Sequence, residues 1–130
     1  MNIISAKTII DLHTVALAMY GGLDGILYYA TIEYLVDKYH YSNDPIEQAA
    51  ILLHGISSMH PFEDGNKRTG VYAADVVLRE YGLCLIADQD DVIRMGLALA
   101  SYDVSLGDTI IWLRKNSGVI ARELLGHDYI

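Results

Sequence analysis

The residues with most to offer chemically stand side by side: His60-Pro61-Phe62-Glu63-Asp64-Gly65-Asn66-Lys67-Arg68-Thr69. His60 closes an apolar, helix-patterned stretch and can take a proton from an attacking hydroxyl near neutral pH. Asp64 supplies a carboxylate of the kind that holds Mg2+ against phosphate oxygens. Gly65 and Asn66 lie where the next helix must begin. Unpaired backbone N–H groups and the helix dipole converge there as an anion site. Lys67 and Arg68 bring positive charge to that same terminus, against the dipole, an arrangement that a bound anion relieves. Arg68 can grip a phosphate through two parallel hydrogen bonds. Phe62 is the loop's large apolar side chain and its expected anchor in the core. Singly, these residues are ordinary, since Asp-Gly-Asn is a common turn and a His before Pro often caps a loop. Together they describe a site that handles phosphate.

The elements that must carry this loop are helices. Ser5 is a suitable N-cap for a helix sending Ile9, Ile10, Leu12, Val15, Ala16 and Met19 toward a core, with Gly21-Gly22 as its stop. A second helix is expected from Ile26 to Tyr39. Asp44-Pro45-Ile46-Glu47 is the clearest start signal, with Asp44 accepting from the N3 amide, Pro45 at N1 and Glu47 reaching back. The helix it opens should run to Met59 and bury Ala49, Ala50, Leu52, Leu53 and Ile56. After the loop, Asn66 to Tyr81 reads as helix with Gly82 beyond its end. Asp88 and Asp108 are the expected caps of two more, and a short helical tail is expected from Val119 to Leu125. The fold class is therefore all-α, a single-domain bundle of six or seven helices spanning residues 1–130.

Composition narrows the partners. The chain has 130 residues, of which 52% are hydrophobic, enough for one sizeable core. A net charge of −8 gives no counterion-release drive toward nucleic acid. No secretory signal or bilayer-length apolar run is present, so a cytoplasmic protein with no membrane partner is expected. Cys84, the single cysteine, cannot form an internal disulfide and is expected to be a buried thiol. His13, His40, His54 and His127 share no metal-ligand spacing and read as core or solvated histidines. Asp88, Asp90 and Asp91 at a helix start complement its dipole.

The stretch His60 to Arg68 resembles the Fic signature, HPFx(D/E)GNGR, with Lys67 where most Fic proteins have glycine. Lys67 followed by Arg68-Thr69 is the form of the death-on-curing, or Doc, branch. Tyr20-Gly21-Gly22-Leu23 and the pattern from Val92 through Trp112-Leu113-Arg114 are similar to that branch too. The resemblance implies a Fic-type helical bundle with the motif loop between two central helices. It implies that His60 is the base, Asp64 the Mg2+ ligand, and Gly65, Asn66, Lys67 and Arg68 the phosphate-binding residues.

For function, the resemblance implies a toxin that moves the γ-phosphate of ATP, or another nucleoside triphosphate, to a Ser/Thr hydroxyl of a protein. By analogy that protein is a translation elongation factor, and a separate small antitoxin is the restraint. Two departures bear on this. Fic adenylyltransferases carry a second Arg three residues after the first, and Val71 stands there, which favours phosphate over AMP transfer. Asp24-Gly25-Ile26-Leu27-Tyr28 differs from the Pro-Gly-x-Arg-Asp usual in the Doc branch. No self-inhibitory Ser/Thr-x-x-x-Glu-Gly/Asn helix is found. AMP transfer, with Lys67 replacing the second Arg, is the alternative within the family. A catalytically weak, partner-binding module is the alternative outside catalysis, and intact His60 and Asp64 argue against it.

Overall fold

A computed structural model describes residues 3–120. Its elements in order are α1 (Ala6–Tyr20), α2 (Tyr29–Tyr41), α3 (Pro45–Met59), α4 (Asn66–Glu80), β1 (Leu83–Leu85), α5 (Gln89–Ala100), α6 (Leu106–Lys115) and β2 (Ser117–Val119). The expected all-helical architecture is present, with six helices among the described residues. None of them is long and apolar enough to cross a membrane.

The bundle is organised on α3. It is buried on every side, through Ile46, Gln48, Ala49, Ala50, Leu52, Leu53, Gly55, Ile56 and Ser57, as a helix must be when its neighbours surround it. Helices α2, α4, α5 and α6 all pack on it. Two glycines let them approach. A methyl group at Gly55 would lie 2.2 Å from Leu35 Cδ2 of α2, and Leu35 is itself buried. A methyl group at Gly70 of α4 would lie 2.7 Å from Ser57 Oγ and 3.2 Å from the Leu53 carbonyl. Gly55→Ala should therefore overpack the α2–α3 contact and lower stability by about 1–3 kcal/mol. Urea denaturation should show an earlier midpoint at unchanged slope; an unmoved midpoint would mean that Leu35 can repack freely.

Helix ends follow side-chain chemistry. Ser5 forms a reciprocal capping box with Thr8, and Gly21 ends α1 at φ 77°. The Asp44 carboxylate accepts from the Ile46 amide, one residue earlier than the N3 amide expected. Asp88 accepts from Asp91 N, as expected of a cap. Asp108 is not the cap of α6. Ser105 is, and Asp108 is its N3 partner in a second capping box.

Four further expectations need correction. Helix α2 begins at Tyr29 and not Ile26, because residues 25–28 are pulled into backbone pairing with the motif loop. On α1 the buried stripe is Ile9, His13 and Ala16, while Val15 and Met19 are exposed. Leu83–Leu85 and Ser117–Val119 form an antiparallel pair that ties the end of α4 to the end of α6. Val119 is thus in a strand and not a helical tail, and residues 121–125 of that expected tail lie outside the described residues. Cys84 sits in β1 and is half-buried.

Candidate active site

The motif loop joins the C-terminus of α3 to the N-terminus of α4. His60 is the C-cap of α3, in the left-handed conformation at φ 49°, and is half-buried. That conformation ends the helix and turns the chain sharply into Pro61. Phe62 follows and is fully buried, as its anchoring role requires. The Asn66 side chain then closes the loop on itself. Its Oδ1 accepts from Phe62 N at 3.0 Å and its Nδ2 donates to Phe62 O at 2.9 Å. The side-chain amide of Asn66 is therefore committed to the loop, and its backbone N–H is what it has to offer an anion.

Two other segments grip the loop from outside. On one side runs the 22–28 segment. Phe62 makes an antiparallel bridge with Ile26, and Leu27 N and Tyr28 N donate to Pro61 O at 2.7 and 3.1 Å. Glu63 N donates to Gly25 O at 2.9 Å. Leu23 N donates to Asp64 Oδ2 at 2.8 Å, which fixes that carboxylate. A side chain at Gly22 would meet Asp64 Cβ at 3.1 Å, and Gly22 has φ 122°, so both space and backbone call for glycine.

From α1 comes His13. Its ring stacks on Phe62 at 3.8 Å and nearly parallel. Its Nε2 donates to the Asp64 carbonyl at 2.7 Å. His13 is buried, in keeping with a core histidine, yet it is the pin beneath the site. Sequence reasoning missed that role. The available signal was a histidine standing at an apolar position of the Ile9–Ala16 stripe.

Beyond the loop, the start of α4 is open. Gly65 is the N-cap at φ 79°, and no side chain caps the helix. The first amides of any helix lack intrahelical partners, so those of Asn66, Lys67 and Arg68 face outward as donors. Around them lies a polar cleft of about 300 Å³, lined by Tyr20, Gly21, Gly22, Asp64, Gly65, Asn66, Lys67 and Arg68. The Arg68 guanidinium carbon lies 3.2 Å from the centre of the Tyr20 ring, a cation–π contact that holds it at the rim. Tyr72 lies beside them, its phenol pKa raised by burial and by the neighbouring Tyr20 hydroxyl.

A second cleft of about 410 Å³ adjoins the first. Tyr20, Lys67 and Arg68 border both, and Val71, Tyr72, Val92, Ile93, Gly96 and Leu97 make the second largely apolar. The stem of Lys67 runs across α5, where a methyl group at Gly96 would come within 3.3 Å of Lys67 Cδ.

Five of the expected site residues, Asp64, Gly65, Asn66, Lys67 and Arg68, thus line one cleft. His60 lies at the other end of the loop and borders neither cleft. Its ring meets that of Tyr102, from the turn after α5, edge-on at 6.3 Å. The same turn rests on His54 of α3, whose pKa is lowered by burial; a contact with the Val104 backbone acts in the opposite direction.

Residues 3–78 match the family model described as Fic/DOC family, which takes in the motif loop and most of α4. The chain belongs to the Fic/DOC family. Among curated relatives, this Fic/DOC chain is 27% identical over 124 residues to "Protein kinase doc" of Escherichia phage P1, covering 91% of the chain and 98% of that protein. It is 41% identical over 69 residues to a Fido domain-containing protein of Dictyostelium discoideum, covering 46% of the chain and 48% of that protein. The matched part therefore spans about half of the second relative and nearly all of the first.

Proposed function

We propose that this chain transfers the γ-phosphate of ATP, or another nucleoside triphosphate, to a Ser/Thr hydroxyl of a target protein. The observation that carries the reading is the polar cleft in which Asp64, the open N-terminus of α4, Lys67 and Arg68 converge. Backbone amides, a helix dipole, a lysine and a guanidinium in one place suit a polyphosphate, whose transfer depends on positioning and charge stabilisation. The adjoining apolar cleft, walled by Tyr72, Val92 and Leu97, suits the nucleoside. His60 takes the proton of the acceptor hydroxyl as its oxygen bonds to the γ-phosphorus and the nucleoside diphosphate leaves.

The residues present fit Mg2+ in a particular way. Among the described residues no group of three or more His, Cys, Asp or Glu could hold a metal. Asp64 stands alone, exposed, with one oxygen fixed by Leu23 N. A single carboxylate completed by phosphate oxygens and water is how Mg2+ commonly binds beside nucleotides. Bound there, Mg2+ would neutralise charge on the phosphate oxygens.

Phosphate rather than AMP transfer is supported by Val71. Where the resemblance puts a second guanidinium, this chain lines its cleft with an apolar side chain. The protein acceptor is supported by Leu23, Ile26, Leu27 and Tyr28, which are exposed on the segment paired to the motif loop. The phage relative, named a protein kinase, points the same way. A separate antitoxin as restraint is part of this reading, as is a cytoplasmic setting.

Calorimetric titration with ATP tests the cleft assignment. Asp64→Ala should weaken binding in the presence of Mg2+ by about ten- to a hundred-fold, the scale of one lost charged contact. Without Mg2+ the variant and the parent should bind alike. Equal affinity in both conditions would remove Asp64 from the site.

A further inference from the structure

Helix α5 ends in a Schellman motif. Tyr102 N donates to Leu99 O at 3.1 Å and Asp103 N to Ala98 O at 3.0 Å. That pattern puts Tyr102 at the position after the cap, which takes the left-handed conformation and is usually glycine. Here a tyrosine holds it, at φ 62°. The conformation is unfavourable for a bulky side chain. Burial does not compensate, because Tyr102 is 73% exposed.

What the ring does have is a neighbour. Among the described residues two non-glycine positions have positive φ, His60 and Tyr102, and their rings meet at 6.3 Å and 88°. The spacing and angle are those of an edge-to-face aromatic pair. Two strained helix ends, one on α3 and one on α5, thus present their side chains to each other. Such strain persists where the surrounding structure holds it, and it clusters at functional sites.

We propose that Tyr102 is a positioning residue for His60, its ring walling in the imidazole and narrowing it to the orientations that receive the acceptor's proton. This rests on the reading of His60 as the base. His60 lies outside the cleft lined by Asp64, Gly65, Asn66, Lys67 and Arg68.

The test uses the whole chain with 13C-labelled histidine, and His60→Ala assigns the His60 Cε1–H signal. Tyr102→Gly should raise the thermal midpoint by about 2–5 °C, because glycine fits the left-handed position. It should also move the His60 signal and slow transfer from γ-labelled ATP to lysate proteins by about ten-fold. Tyr102→Phe, which keeps the ring, should restore both signal and rate. A His60 signal unmoved in Tyr102→Gly, or a moved signal with an unchanged rate, would overturn the proposal. Full transfer by His60→Ala would instead overturn the base reading itself, whatever the signal shows.

Discussion

His60→Ala should abolish all but a trace of phosphate transfer, slowing it by about 10²–10⁴-fold, the range that a positioned general base contributes. The fold should survive. His60 is half-buried at the end of α3, and among the described residues no hydrogen bond holds its ring. The burden on structure lies in its backbone, which is left-handed at φ 49°. Asparagine tolerates that conformation better than most residues. His60→Asn is therefore the cleaner variant, since it preserves the helix end while removing the imidazole base. Both variants should bind ATP with Mg2+ as the parent does, because the ring borders neither cleft. Loss of transfer accompanied by loss of nucleotide binding would mean that the loop had shifted and would void the assignment.

Phe62→Ala should have the largest effect on stability, about 3–5 kcal/mol, as truncation of a fully buried aromatic does. That is a large part of the 5–15 kcal/mol typical of a whole domain. The loss is concentrated at the site, because Phe62 is where its supports meet. The His13 ring stacks on it, its backbone N–H and carbonyl are clamped by Asn66, and its main chain bridges to Ile26. Guanidinium denaturation should show a far lower midpoint for Phe62→Ala. Phe62→Leu, which refills most of the volume, should recover much of it. If the alanine variant unfolded at the parent's midpoint, the loop would be held from elsewhere. His13→Ala would then be the next variant to measure.

The parts of the molecule legible in its sequence are those set by local chemistry. Ser5 and Asp88 as N-caps and Pro45 at N1 are set within one helical turn, so spacing alone announces them. The motif loop was legible for the same reason: its histidine, carboxylate, glycine and cations lie within nine positions. What depends on distant residues was not. His13 meets Asp64 across 51 positions of sequence, so its place in the apolar stripe of α1 announces burial but not the partner it holds. The pairing of residues 25–28 with the motif loop took three residues from the expected start of α2, a tertiary override of helical pattern. The strands at Leu83 and Ser117 are three residues each, too short to show alternation. Tyr102 escaped because a Schellman end is normally announced by glycine, and here the glycine is absent.

The cleft is proposed to deliver a γ-phosphate to a protein hydroxyl with His60 as base. Purified chain, Mg2+ and a bacterial lysate, incubated with ATP labelled at either the α- or the γ-phosphate, test it most directly. The expected result is protein-bound label from the γ-position alone, absent with His60→Ala. Label from the α-position would mean AMP transfer, with Lys67 serving where Val71 cannot, and would contradict the account.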